Sequence, residues 1–146
     1  MIISILKLTK NGVIEQENVN KETKISKSIG QKLLQKLQYD KLIYLKGDMV
    51  HVDTTNRLKL AVRAAELGAD IERLSHLLAW KEFENLIAIA LVQNGYEATE
   101  NVRFKHALRR WEIDVVGCRK PFVLCIDCKQ WRNGISPSKL EKIVAD

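Results

Sequence analysis

No run of apolar residues in this 146-residue chain approaches the length of about 18 that a membrane-spanning helix needs. The first residues, MIISILKLTKNG, are too short for a signal peptide and contain no small-residue cleavage site. The expectation is a cytoplasmic protein with no membrane partner. Cysteine is scarce: three residues, Cys118, Cys125 and Cys128, make no even disulfide framework and suit a reducing compartment. The CIDC at 125–128 resembles half of a zinc site. On a strand, however, residues three apart point to opposite faces, and no second half-site exists. His51, His76 and His106 are scattered without ligand spacing and are expected to have no catalytic role. Internal repeats and low-complexity stretches are also missing. These absences exclude a disulfide scaffold, a membrane span and a solenoid.

What is present is a chain 46% hydrophobic and 29% charged, enough for one full domain or two small ones. Its net charge of +6 favours a polyanionic partner. Residues 1–70 carry 12 basic and 8 acidic side chains, against 12 and 10 in residues 71–146, so the excess is larger in the first half.

The opening MIISILKLT alternates enough to read as a strand, with Asn11-Gly12 as a turn. Residues 15–24 offer little to bury and read as a loop or a weak helix. From Ser26, with Ser26 or Ser28 available as a cap, Ile29, Leu33, Leu34 and Leu37 recur at helical spacing. LIYLKGDMVHVD then reads as two short strands around Lys46-Gly47-Asp48, and NRLKLAVRAAELGAD as a helix stopped by Gly68. A basic helix (Lys27, Lys32, Lys36) followed by a β-hairpin is the order of a winged helix, whose helix enters the major groove of DNA. Residues 1–70 are therefore expected to form a winged-helix-like, DNA-binding domain.

Residues 71–96 read as one long helix with Phe83, Leu86, Ile87, Ala90 and Leu91 as its apolar stripe and Gly95 as its stop. Three strands follow, EATENVRFKHALRRW, EIDVVGC and FVLCIDCKQW, with a turn at Arg119-Lys120-Pro121 between the last two. SPSKLEKIVAD has the Leu and Ile spacing of a closing helix. Helix, three strands and helix make an unfinished α/β layer, so residues 71–146 are expected to be an incomplete core of a longer protein.

Charges interrupt those strands. Asp127 and Lys129 lie two apart and share a face of a strand. A turn centred on the Lys120–Pro121 bond sets Asp114 opposite Asp127, where side chains stand about 5 Å apart and like charges repel. Mg²⁺ or Mn²⁺, which take hard oxygen ligands, would relieve that repulsion, and Lys129 would offset part of it. Two carboxylates and an ammonium also suit phosphodiester hydrolysis. Around the axis of the preceding helix Glu84 lies on the flank of the apolar stripe and Glu82 on the opposite flank, so Glu84 is the carboxylate better placed to meet the sheet. Aspartates at strand ends also cap turns, and that plainer role stands beside the metal site.

FENLIAIALVQNGYEAT, EIDVVG and CIDCKQW, in this order and spacing, resemble the PD-(D/E)XK nuclease superfamily, in its Mrr-like restriction endonuclease and archaeal Holliday-junction resolvase branches. The resemblance covers about residues 80–146. It implies an α/β (α+β) core of mixed sheet flanked by helices, and DNA cleavage with Mg²⁺. By the same resemblance Asp114 and Asp127 are metal ligands, Glu84 is the helix carboxylate near the metal, Lys129 is the catalytic lysine, and Gln130 is a weaker catalytic candidate. Ile113 stands where the superfamily's nominal proline would be. Arg103, Lys105, Arg109 and Arg110 are expected to meet the phosphate backbone, or else to protect an edge strand. The leading reading is a metal-dependent DNA endonuclease of defence, repair or recombination, a homodimer if it cuts both strands. The alternatives are a DNA-binding protein with an inactive nuclease fold used for docking or dimerisation, and an RNA-processing nuclease.

Overall fold

The structure, a computed structural model, describes residues 1–129, 136–138 and 141. Among them the chain is α+β, with six helices and two three-stranded antiparallel sheets. The elements run α1 (Ile2–Leu8), β1 (Val13–Glu15), α2 (Gln16–Thr23), α3 (Lys27–Tyr39), β2 (Tyr44–Lys46), β3 (Met49–His51) and α4 (Thr54–Glu66). They continue with α5 (Ile71–Leu77), α6 (Trp80–Gln93), β4 (Glu97–His106), β5 (Arg109–Arg119) and β6 (Phe122–Ile126).

The expected first strand is a helix. Ile2, Ile5 and Leu6 recur at helical spacing as well as within a β-type run, and packing decides between the two: Ile5 and Leu6 are fully buried against α4 and α5. The polar stretch after it is helical too, anchored by the single buried Val19. Ser26 caps α3 by accepting from the Ile29 N–H, and Asp53 and Asp70 cap α4 and α5 in the same way. On α3 the buried residues are Leu34 and Leu37, whereas Ile29 and Leu33 face solvent. A methyl group at Gly30 would overlap the Asn20 side chain, so glycine lets α3 lie close to α2. Gly47, at φ 57, closes the β2–β3 hairpin, and β1 adds to the other side of β3, giving the order β1-β3-β2.

The expected long helix over 71–96 is two helices. α5 ends at Leu77, Leu78 is extended (ψ 151), and α6 starts at Trp80. The break has a tertiary cause. Arg57 of α4 takes the Leu77 carbonyl at 2.8 Å, and Glu82 accepts from the Ala79 N–H at 2.8 Å. Leu74, Leu78 and Leu86 then join Leu34, Ile43, Val50 and Leu60 in one core. Each such side chain contributes about 1.5–3 kcal/mol through burial.

The second sheet has the order β4-β5-β6. The segment expected as one strand up to Trp111 is instead a hairpin. Ala107 and Leu108 turn the chain at φ 46 and 67, which places Arg109 and Arg110 on β5, the strand that carries Asp114. α6 covers this sheet through Ala88 and Leu91 against Val115 and Cys128. Gly117 permits the approach: a Cβ there would lie 3.0 Å from Leu91 Cδ1. The expected closing helix falls largely outside the described residues.

Candidate active site

β5 and β6 pair from Val115↔Ile126 to Arg119↔Phe122 across the two-residue connection Lys120-Pro121. Carried one residue further, this register sets Asp114 across from Asp127, just past the end of β6. On the other side of Asp114, Asn101 lies between the pairs Glu100↔Val115 and Val102↔Ile113 with φ 54. A left-handed non-glycine residue inside a strand is an uncommon conformation that tends to gather near functional sites.

The Asp114 carboxylate is part-buried, and its Oδ2 accepts the backbone N–H of Cys128 at 2.6 Å. Burial raises its pKa above the ordinary carboxylate value, although the Cys128 N–H acts in the opposite direction. A hydrogen bond with the Asp127 carboxyl, the Asp127 charge and the Glu84 charge raise it further. Asp127 and Glu84 are thus both near enough to act on Asp114. The Cys128 thiol, 2% exposed, is pushed up to about 11 by burial and then by the charges of Asp114, Glu84 and Asp127. Cys125 of the same CxxC is exposed, so the two sulfurs lie in different environments.

α6 delivers Glu84. Residues two apart on a helix diverge by about 200° around its axis, which sends Glu82 and Glu84 to different neighbours. Glu82, 6% exposed, pairs with Arg57. Glu84, 4% exposed, is held by Lys81 at 3.1 Å, and Lys81 also reaches Glu100 at 2.8 Å. The Glu100 hydrogen bond is the main reason that the Lys81 pKa is raised. Lys81 and Glu100 were not anticipated from the sequence, although the i,i+3 spacing of Lys81 and Glu84 was a usable signal. Lys129 binds Asp127 Oδ1 at 2.7 Å. Gln130 lies outside the described residues.

The basic candidates are exposed. Arg103 is paired with Glu112 across the hairpin, whereas Lys105 stands opposite Arg110 and His106 opposite Arg109. Like charges directly opposed on a hairpin are unfavourable alone and suit a polyanion. Lys27, Lys32 and Lys36 lie along the exposed side of α3, where Lys36 makes an ion pair with Asp40.

The donor chemistry around Asp114 fits a hard divalent cation: the Asp127 and Glu84 carboxylates are near enough to raise the Asp114 pKa, beside a thiol held protonated. Among the described residues, no group of three or more His, Cys, Asp and Glu side chains is gathered as tightly as a finished metal site. Lys81 binds one Glu84 oxygen and Lys129 one Asp127 oxygen, so these lysines partly offset the charge of the two carboxylates.

Residues 76–146 match the model of a protein family, the Mrr catalytic domain, described as a restriction endonuclease. No curated protein and no solved structure matches the chain.

Proposed function

Residues 76–146 belong to the Mrr-type restriction endonuclease family, and from that premise we propose that the chain is a metal-dependent endonuclease that hydrolyses DNA phosphodiester bonds. The observation that carries this reading is the β5–β6 register, which carried one residue on sets Asp114 across from Asp127 at the end of a strand pair that also presents Lys129; burial first, then Asp127 and Glu84, raise the Asp114 pKa there. Asp114, Asp127 and Glu84 would hold Mg²⁺ or Mn²⁺. When bound, such an ion supplies Lewis-acid polarisation of the phosphate and a more acidic water.

The chain's own residues do the rest. Cys128 N–H fixes the Asp114 carboxylate through one oxygen, leaving the other to face the substrate. Lys129, next to Asp127, would offer an ammonium to the charge developing on the phosphoryl oxygens. Burial of Glu84 to 4% keeps water from screening its charge at Asp114. Lys105, Arg109 and Arg110 on the β4–β5 hairpin would neutralise backbone phosphates beside the scissile one.

The N-terminal residues 1–70 would add a second contact as a winged-helix-like domain, with 71–146 as the nuclease domain. The order helix, strand, helix, helix, hairpin supports this, as do the exposed Lys27, Lys32 and Lys36 on the helix before the wing.

Nicking of a supercoiled plasmid tests the proposal. The wild type should nick in Mg²⁺ or Mn²⁺, and Asp114→Asn or Asp127→Ala should abolish nicking while leaving the gel shift intact. Lys129→Ala should slow it by about 10²–10³, the usual loss on removing one charge-stabilising donor. A wild type that shifts DNA but never nicks it with either ion would sink the enzyme and leave a DNA-binding nuclease fold.

A further inference from the structure

A cleft on the Glu82 side of α6 is one that the nuclease reading makes no use of. It has a volume of about 590 Å³ and opens between the turn after α1, the start of α4, the end of α5 and the start of α6. Its rim carries Lys10, Thr54, His76, Trp80 and Lys81. Among the described residues neither Lys10 nor His76 has a charged or hydrogen-bonding partner. Trp80 is 44% exposed, although an indole gains by being covered.

The floor is the Arg57–Glu82 pair, and it has no donors left to offer. All five N–H groups of Arg57 are spent, on Glu82 twice and on Leu6 O, Thr9 Oγ1 and Leu77 O. The only carboxylate lining the cleft is Glu82, which that guanidinium neutralises. The cleft is therefore electropositive at its rim, aromatic on one wall and unable to read polar edges at its base. That combination takes a ligand with a flat ring and a phosphate, and stacks the ring without regard to its identity. The volume is that of a small-ligand site. Lys81 lines the cleft and also binds Glu84, so one side chain links this opening to the helix carboxylate of the candidate site.

We propose that the cleft holds one unpaired nucleotide of the DNA strand being cut, its base against Trp80 and its phosphate beside Lys10. The inference rests on DNA being the substrate. It makes the protein favour bulged, flapped or branched duplexes over perfect ones, with no preference among the four bases.

The test is anisotropy titration of the full chain, in Ca²⁺ to hold cleavage back, with labelled duplexes that differ only by one central unpaired nucleotide. The wild type should prefer the bulged duplex by about tenfold or more, a typical worth for one base stacked on an aromatic ring. Trp80→Ala should bring the two duplexes to parity, Trp80→Phe should restore most of the preference, and Lys10→Ala should weaken binding and lower the salt slope by about one. A second measurement avoids dependence on a variant that fails to fold. A short single-stranded oligonucleotide should quench the wild-type tryptophan emission, and the quenched component should be missing in Trp80→Phe. Equal wild-type affinity for the two duplexes, or a preference that survives Trp80→Ala, overturns the proposal, and plasmid nicking in Mg²⁺ by the same preparation would leave the nuclease reading standing. A Trp80-dependent preference without nicking supports the cleft and removes the enzyme. No binding to any DNA overturns both.

Discussion

Removing the Arg57 guanidinium should cost the protein more stability than any other single surface-to-core truncation near the site. Arg57 and Glu82 side chains are each 7% exposed and meet at 2.8 Å. Arg57→Met keeps the aliphatic stem but strands a buried carboxylate, the Leu6 and Leu77 carbonyls and the Thr9 hydroxyl. Breaking a buried ion pair from one side typically costs about 3–5 kcal/mol, because the remaining charge stays buried and unpaired. Water entering from the adjacent cleft would hold the loss to the lower part of that range. For a domain of this size the melting temperature should fall by about 6–20 °C. Arg57→Lys should fall between the two, since an ammonium keeps the charge but cannot form the planar fork. Glu82→Gln should also destabilise, by losing part of the bond to Ala79 N–H. The double variant should be less damaged than the sum of the singles, with a coupling of about 0.5–3 kcal/mol. Urea unfolding followed by circular dichroism reads all four proteins. A loss below about 1 kcal/mol in Arg57→Met, a range ordinary for exposed pairs, would refute the placement of this pair in the core.

Gly117→Ala should destabilise by about 1–3 kcal/mol, because its methyl would meet Leu91 carbons at 3.0 and 3.1 Å. Leu91→Ala in the same chain should recover part of that loss in urea unfolding, and no recovery would mean that the strain lies elsewhere. Lys105→Ala and Arg110→Ala should each lower the dependence of log affinity on log salt by about one, whereas Arg103→Ala, whose charge Glu112 already engages, should change it less. Equal slopes for all three would show that the hairpin does not follow the phosphates.

The parts of the fold legible in the sequence are those decided locally. Ser26 announces a helix start, Gly47, Gly68 and Gly95 take the positive φ values their turns require, and the two-residue turn at Lys120-Pro121 fixes which residues of β5 and β6 face each other. From that register alone, Asp114 and Asp127 could be set opposite one another. What stayed hidden was decided at a distance. Nothing between residues 71 and 94 is a glycine or a proline to mark the break at Leu78; Arg57, on another helix, takes the Leu77 carbonyl, and Glu82 caps the new helix at Ala79 N–H. The turn at Ala107-Leu108 adopts positive φ without glycine or asparagine, so one strand was expected where two are found. MIISILKLT satisfies both periods, and only its burial against α4 and α5 selects the helix. Glu82 and Glu84 were separable from helix geometry, and the i,i+3 spacing of Lys81 and Glu84 was a usable signal, but Arg57, which holds Glu82 from 25 residues away, had none.

Those two cations differ in a way that bears on the site. Glu82 is neutralised by a guanidinium nearly as buried as itself and bonded through every N–H. Glu84 is neutralised by Lys81, whose side chain is 54% exposed and which also binds Glu100. An ion arriving at Asp114 and Asp127 can displace Lys81 from Glu84 at small cost, because the lysine returns to water and keeps Glu100. It cannot displace Arg57. Lys81 is therefore a competitor for any divalent cation that uses Glu84. Lys81→Met should lower the stability of the protein without metal and bring Glu84's full charge to bear on Asp114. Lys81 is half exposed but Glu84 is buried, so the pair is worth about 1 kcal/mol or more and divalent binding should tighten by roughly fivefold or more. By linkage, the rise in melting temperature on adding Mg²⁺ or Mn²⁺ should then be larger in Lys81→Met than in the wild type at the same ion concentration. Glu84→Gln in the same background should cancel the gain. A rise that is equal or smaller in Lys81→Met would mean that Glu84 does not share the ion with Asp114 and Asp127, and the helix carboxylate would then be confined to shaping the charge on Asp114.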